Sequence, residues 1–338
     1  YLQNHKNTTL VLDNESASEL TRFKTPWLVS TCDWIDSMKR RAIVWLCETT
    51  GKSILKLTDE DYNKNGLSDL LALEGSSYDL NINMFNHFQN TITGWPGGKP
   101  GADDSTRPER KSPNSKRVII FSPHPDDDVV SMGGTFDRLV SQGHEVHIAY
   151  QVKGNIAVSD HDALKFIEVS KDMFKNDSKV PVSELIKELK NNKPDKIDSQ
   201  AVRDLKGFIR KREAIAATRY IGIPDSNTHF MNLPFYDTGR IKKNPPTKKD
   251  VLITASLIKK IKPHQIFAAG DLEDPHGTHK VCLDVILDAL DTLKGEKFIK
   301  DCWLWLYRGA WLDWDVHDID MAVPMSPAQV LRKRKAIF

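Results

Sequence analysis

The run Arg117-Val-Ile-Ile-Phe-Ser122 passes directly into Pro123-His124-Pro125-Asp126-Asp127-Asp128, and few folds accommodate both halves. Val118 to Phe121 are apolar without alternation, which predicts a strand buried on both faces, as in a parallel sheet. From Asp128 onward, Val129, Val130, Met132 and Phe136 are spaced for a helix packed on that sheet. Strand, short loop and helix in this order point to an α/β protein with a Rossmann-like, mostly parallel sheet flanked by helices. The imidazole and acids then fall at the carboxyl end of a strand, where open α/β sheets place their ligands.

The spacing also carries chemistry. Pro125 forces a bend, so His124 and Asp127 can converge on one point while Asp126 projects elsewhere. Imidazole with carboxylate suits Zn²⁺ or a related divalent ion. Taken alone, three acids at a helix start could equally serve as a cap. A second cluster tips the balance. Gln265 to Ala269 predicts another buried strand, followed by Gly270-Asp-Leu-Glu-Asp274-Pro275-His276-Gly277-Thr278-His279. Asp274 reads as an N-cap with Pro275 at the first helical position, placing His276 and His279 on one face of the first turn. A catalytic zinc commonly takes three protein ligands and leaves one position open, and the two clusters together offer His, Asp and His.

His124-Pro-Asp-Asp127 with the later His276-x-x-His279 resembles the LmbE/PIG-L family of zinc-dependent de-N-acetylases. The likeness extends over Gly133-Gly134, a strand from His144 to Tyr150, the Arg212-Glu213-Ala helix ending at Gly222, and the final Lys335-Ala-Ile, about residues 115 to 338. It implies His124, Asp127 and His279 as metal ligands and Asp126 as general base. His276 would stabilise the oxyanion or protonate the leaving amine, and Arg212 would contact substrate hydroxyls. Asp128 stands where such motifs often carry a longer Glu, and is expected to orient a ligand histidine from behind. The implied reaction is hydrolysis of the N-acetyl amide of an amino sugar of the N-acetylglucosamine type by a metal-activated water, with Zn²⁺ or another divalent ion such as Fe²⁺ as cofactor. An amide is a poor electrophile, so a stronger nucleophile than water and help for the oxyanion are both required.

The rest of the chain sets limits. With 338 residues it can bury a substantial core, and its net charge of +2 implies no polyanionic partner. Arg332-Lys-Arg-Lys335 reads as the solvated face of a terminal helix, not a nucleic-acid patch. Cys32, Cys47, Cys282 and Cys302 lack C-x-x-C spacing and read as buried free thiols. No signal peptide or membrane-spanning run is evident, so a cytoplasmic protein acting on a small amino sugar is expected, with no membrane or nucleic-acid partner and a homo-oligomer left open.

Upstream, Thr9 to Asp13 predicts a strand, followed by a helix from near Asn14 with a Ser16-x-x-Glu19 capping box. The stretch from Leu2-Gln-Asn-His5 through Asp13 to Glu19-Leu-Thr resembles the closing strand and helix of the glucosamine-6-phosphate deaminase (NagB) family, so residues 1–30 are read as the end of such a domain. That company makes N-acetylglucosamine 6-phosphate the expected substrate. It also raises another reading, in which the chain belongs to a deaminase/isomerase fusion whose main activity lies in residues absent here and this domain is a sugar-binding or structural appendage. Residues 31–92 predict a helical connector, with Thr31 capping a helix that carries Trp34, Ile35, Met38, Ile43 and Leu46 and stops at Gly51, and with Thr58 and Ser68 starting two more. Residues 93–116, rich in Gly, Pro, Ser and charge, read as a linker or long surface loop, and 117–338 as the deacetylase-like domain. Ser159 to Leu205, charge-rich between Lys187 and Lys196, reads first as a polar, solvated helical surface and second as an insertion covering the site as a lid. Trp303 and Trp305 alternate as core residues of a strand, leaving Trp311 or Trp314 for sugar contact.

Overall fold

The computed structural model describes residues 4–13, 16–103, 105, 107, 113–173, 182–192, 197–240 and 242–338. Two compact units emerge, Tyr1–Ile92 with Trp314–Ala322, and Thr93–Asp313 with Val323–Phe338.

The first unit is helical: α1 (Thr21–Lys24), α2 (Asp36–Thr50), α3 (Asp59–Lys64), α4 (Ser68–Glu74) and α5 (Ser77–Thr91). Ile43, Leu46, Tyr62, Leu67 and Leu70 are fully buried at its centre. Thr58 caps α3 in a capping box with Asp61, as its sequence predicts. Gly51 closes α2 at φ 65°, the left-handed conformation that a residue without Cβ adopts freely. Two expectations fail here. Thr9 to Asp13 form no strand; they are exposed, with Val11 at 89%, and among the described residues no strand lies beside them to complete a ladder. Thr31 does not cap α2, which begins at Asp36, because Trp34 is drawn instead against Trp27 and Ile35 stays extended. Ser68 starts α4, as its sequence predicts. The helix expected from near Asn14 involves Asn14 and Glu15, which lie outside the described residues, as do Leu2 and Gln3.

The second unit is built on five parallel strands, β1 (Arg117–Ser122), β2 (Glu145–Tyr150), β3 (Thr228–Phe230), β4 (Gln265–Ala269) and β5 (Trp303–Tyr307), in the order β3-β2-β1-β4-β5. Around them lie α6 (Asp127–Ser141), α7 (Asp160–Met173), α8 (Val182–Lys190), α9 (Gln200–Ile221), α10 (Lys248–Ile261), α11 (Thr278–Thr292) and α12 (Pro327–Ile337). The sheet is thus the mostly parallel, helix-flanked one that the unbroken apolar run of β1 demands. Val118 and Ile120 face a core completed by Phe136 and Leu139 of α6 and Ile221 of α9. Ile119 and Phe121 face the opposite core, with Ile258 of α10 and Leu283 and Ile286 of α11. Successive residues of one strand therefore serve two layers, which is why no polar position interrupts it. Gly133 and Gly134 let α6 approach Lys333 and Met325 so closely that any Cβ would collide with them.

The sheet order reverses beside β1, where β2 continues one way and β4 the other, and the crevice at such a switch point is the natural ligand site. Gly94 to Gly98 are not a free linker: Gly94 O accepts from Gln142 Nε2 at 2.7 Å, Pro96 O from Gln265 Nε2 at 3.2 Å, and Gly97 lies flat against the His144 ring. Trp303 is not core, since β5 is an edge strand and leaves it 39% exposed. The 159–205 segment is helical as expected and has its own apolar cluster of Ala163, Ile167, Leu185, Leu189 and Val202; residues 193–196 of its charged stretch lie outside the described residues. Among the described residues no helix is long and apolar enough to cross a membrane.

Candidate active site

The loop between β1 and α6 and the loop between β4 and α11 bring His124, Asp127 and His279 together, with one donor atom from each lying within 4.8 Å of the others. Asp127 Oδ2 is the focus. It accepts the backbone N–H of His124 at 2.8 Å and lies 3.2 Å from both His124 Nδ1 and His279 Nε2. Burial works against charge on this carboxyl, yet the two imidazoles hold it well below the usual carboxylate range. His279 is 1% exposed, and its Nδ1 donates to Asp271 O at 2.9 Å. A carbonyl can only accept, so Nδ1 carries a proton and Nε2 is the ring nitrogen turned toward Asp127. That is the arrangement a histidine ligand needs, and it matches the carbonyl partners that orient such ligands elsewhere. Burial lowers and Asp127 raises the pKa of His279, with a net rise in the absence of a cation.

The structure separates the neighbouring acids. Asp128 is fully buried, accepts from Tyr150 Oη at 2.9 Å and Ser122 Oγ at 3.3 Å, and is pushed up to about 7 by its burial. Its partners among the described residues are these hydroxyls, not a histidine; the group that orients His279 is Asp271, which the sequence reading passed over. Asp126 is half-exposed and pairs with Arg210 Nη2 at 2.8 Å. Arg212, two positions further along α9 and so about 200° round the helix, is exposed and outside the cleft lining. Arg210 is the arginine that reaches the site.

His276 lies in the cleft lining but outside the helix, because α11 begins only at Thr278. Asp274 acts as its cap from a distance: across the turn at Gly277, its carboxylate accepts from Thr278 N at 2.9 Å and His279 N at 3.1 Å. Asp271 also binds the loop after β5, its Oδ2 accepting from the backbone of Ala310 at 3.1 Å, Leu312 at 3.2 Å and Trp311 between them. One residue thus orients His279 and fixes the cleft wall at Trp311. The cleft has a volume of about 370 Å³ and is lined among others by Asp126, Tyr236, Lys243, His276 and Trp311. Trp314 belongs to the other unit, so Trp311 alone of the two candidate tryptophans faces this cleft. Tyr236, Lys243, Arg210 and Asp271 carried no motif signal; only the position of Asp271, two residues beyond β4, hinted at a role.

Comparison with known proteins places the chain in a family. Among curated proteins, the chain is 54% identical over 347 aligned positions to a glucosamine-6-phosphate deaminase-like protein of Bacteroides thetaiotaomicron, covering 100% of this chain and 52% of that one. The chain therefore spans about half the length of that relative. Among solved structures it is similar to the N,N'-diacetylchitobiose deacetylase of Pyrococcus horikoshii, at 16% identity over 66% of this chain and 71% of the other, with a TM-score of 0.38. The A40926 pseudoaglycone deacetylase Dbv21 shares 17% identity over 67% and 81% at 0.38. GalB, the 4-carboxy-2-hydroxymuconate hydratase of Pseudomonas putida KT2440, shares 17% over 54% and 59% at 0.34. At these scores nothing about chemistry follows from the three structures. The profile of the PIG-L family, described as GlcNAc-PI de-N-acetylase, matches residues 119–290. That is more than half of the chain, from inside β1 through the loops that carry His124, Asp127 and His279, and the chain belongs to the PIG-L family.

Proposed function

We propose that this chain hydrolyses the N-acetyl amide of an amino sugar of the N-acetylglucosamine type, using a divalent ion, Zn²⁺ by the character of its donors. One observation carries the reading: His124, Asp127 and His279 converge at the cleft, while Asp126 and His276 line the same cleft outside that donor set. Two imidazoles and a carboxylate are a donor set suited to zinc, and the fixed tautomer of His279 fits it. An ion held there would supply Lewis acidity toward the amide carbonyl and acidify a coordinated water.

The chain's own groups supply the remainder. Asp126, held by Arg210, accepts the proton of the attacking water. His276, in its protonated form, donates toward the developing oxyanion and then to the departing amine. Trp311 offers an apolar face against which a sugar ring can lie. Acetate released from N-acetylated amino sugars by zinc-loaded protein tests the reading. Absence of release from every such sugar, with the metal site filled, overturns it. The deaminase-like name of the longer relative supports a second proposal at the level of the whole protein: a deaminase half upstream that consumes the amine this half produces.

A further inference from the structure

We propose that Lys243 selects, within the same cleft, amino sugars that carry a phosphate monoester, its ammonium binding the phosphate oxygens; this rests on the de-N-acetylation reading above. Lys243 lies in the cleft lining, Nζ 3.8 Å from the centroid of the Tyr236 ring and donating to Arg240 O at 2.7 Å. An ammonium has three N–H groups. The carbonyl takes one, and the ring offers a diffuse attraction for the charge. Hydrogen-bonding capacity is left over for the cleft.

Nothing anionic is committed to that charge. Asp237 acts on Lys243 from nearby, but it forms its ion pairs with Lys153 and Arg203, each at 3.6 Å. The other non-histidine cation of the lining, Arg210, is already paired with Asp126 and Glu213. Among the described residues, Lys243 is thus the lysine or arginine of the cleft with no carboxylate in ion-pair contact. Burial lowers its amine to about 8, the behaviour of a desolvated cation lacking a counter-charge, and an incoming anion would reverse that shift.

The placement suits one sugar unit. Tyr236 touches both sides, its ring centroid 6.2 Å from that of His124 and 3.8 Å from the Lys243 ammonium. Laid end to end, those distances are the most that can separate the His124 ring from the ammonium, so a single phosphorylated hexosamine can lie against both. Phosphate fits better than a hydroxyl because a strongly hydrated point charge such as ammonium recovers its desolvation only against an anion.

Binding, separate from turnover, tests this. Calorimetry on zinc-loaded full-length chain would compare glucosamine, glucosamine 6-phosphate and glucosamine 1-phosphate. The 6-phosphate is expected to bind at least about tenfold more tightly than the free sugar, as one charged hydrogen bond would give. In Lys243→Gln that ratio should fall below about threefold, and Lys243→Arg should restore most of it, with zinc content equal in all three proteins. A wild-type ratio near one, or a ratio preserved in Lys243→Gln, overturns the proposal; the second result would mean that the phosphate sits on the metal. Preference for the 1-phosphate would keep Lys243 as the anion site and reverse the sugar's orientation. Because binding is measured, a failure here is distinguishable from a failure to release acetate.

Discussion

The two units each contain a cavity, and the larger is the chemically poorer. In the helical unit a pocket of about 540 Å³ is lined mostly by apolar side chains, among them Val44, Ile54, Phe85, Phe88 and Val316. Its one thiol, Cys47, is pushed up to about 11 by burial and so carries little thiolate at neutral pH. The cleft of the α/β unit is smaller, at about 370 Å³, yet eight of its lining residues are Asp, Arg, Lys or His, borne on loops after the strands, on the first turns of α6 and α11, or on α9. Volume measures only what could fit. Convergence of donors on one point, each fixed by a second group, measures what could react.

The strongest test of that contrast removes one of the three proposed metal ligands. In His279→Ala, bound zinc should fall to background in metal analysis and acetate release should fall with it, since two remaining donors hold zinc poorly. The helical unit should unfold at the denaturant concentration of the unaltered chain. Retention of a full zinc equivalent by His279→Ala would break the assignment of the cleft as a metal centre.

Next in size is Asp126→Asn. Its amide keeps the shape and can still meet Arg210, but it cannot accept a proton. The expected result is full zinc content with kcat lower by about 10²–10⁴-fold and KM little changed. Loss of zinc together with rate would mean that Asp126 belongs to the ligand set instead.

These expectations divide along the line between what the sequence discloses and what it conceals. The β1 strand, the α6 start and the His124–Asp127 pairing were legible because they are local: period, proline and three-residue spacing lie within one stretch of chain. His279 was legible for the same reason, although the start of α11 was misplaced, because a carboxylate at Asp274 can cap a helix across the intervening Gly277 turn as well as from the adjoining position. Arg210, Lys243 and Asp271 were not. Arg210 and Lys243 reach the cleft through the mutual placement of distant elements, and no spacing rule links Asp126 to a residue 84 positions later, as in the Arg210 ion pair; Asp271 is near His279 in the chain, but its bonds to the loop after β5 depend on the fold. Arg212 illustrates the hazard, since a motif position carried over by likeness pointed to the wrong side of α9. In the helical unit the difficulty was the opposite: Thr9 to Asp13 have the composition of a strand, but a strand exists only where a neighbour completes its hydrogen bonds.

Asp271 gives a smaller effect within the cleft. Asp271→Ala keeps the backbone carbonyl that orients His279 but removes the acceptor for the amides of Ala310, Trp311 and Leu312. Zinc affinity should fall about tenfold, at the low end of the 10–100-fold seen for supporting residues, and KM for the sugar should rise as the Trp311 wall loosens. Chelator competition and initial-rate kinetics read the two separately. An unchanged KM would detach Trp311 from sugar binding.

The smallest change falls on the helical unit and should leave the cleft untouched. Tyr62 is fully buried, and its hydroxyl donates to Asn81 Oδ1 at 2.7 Å, while Asn81 Nδ2 donates to Leu57 O at 2.8 Å. Tyr62→Phe keeps the ring in the core and leaves the buried Asn81 Oδ1 short of a donor. The cost should be about 1–2 kcal/mol, read as a lower denaturation midpoint of the helical unit with the slope unchanged. Zinc content and acetate release per folded chain should match the unaltered protein. A drop in kcat with zinc retained would break the comparison at its root, because a hydroxyl whose partner is a buried amide of the first unit would then be felt by chemistry confined to the second.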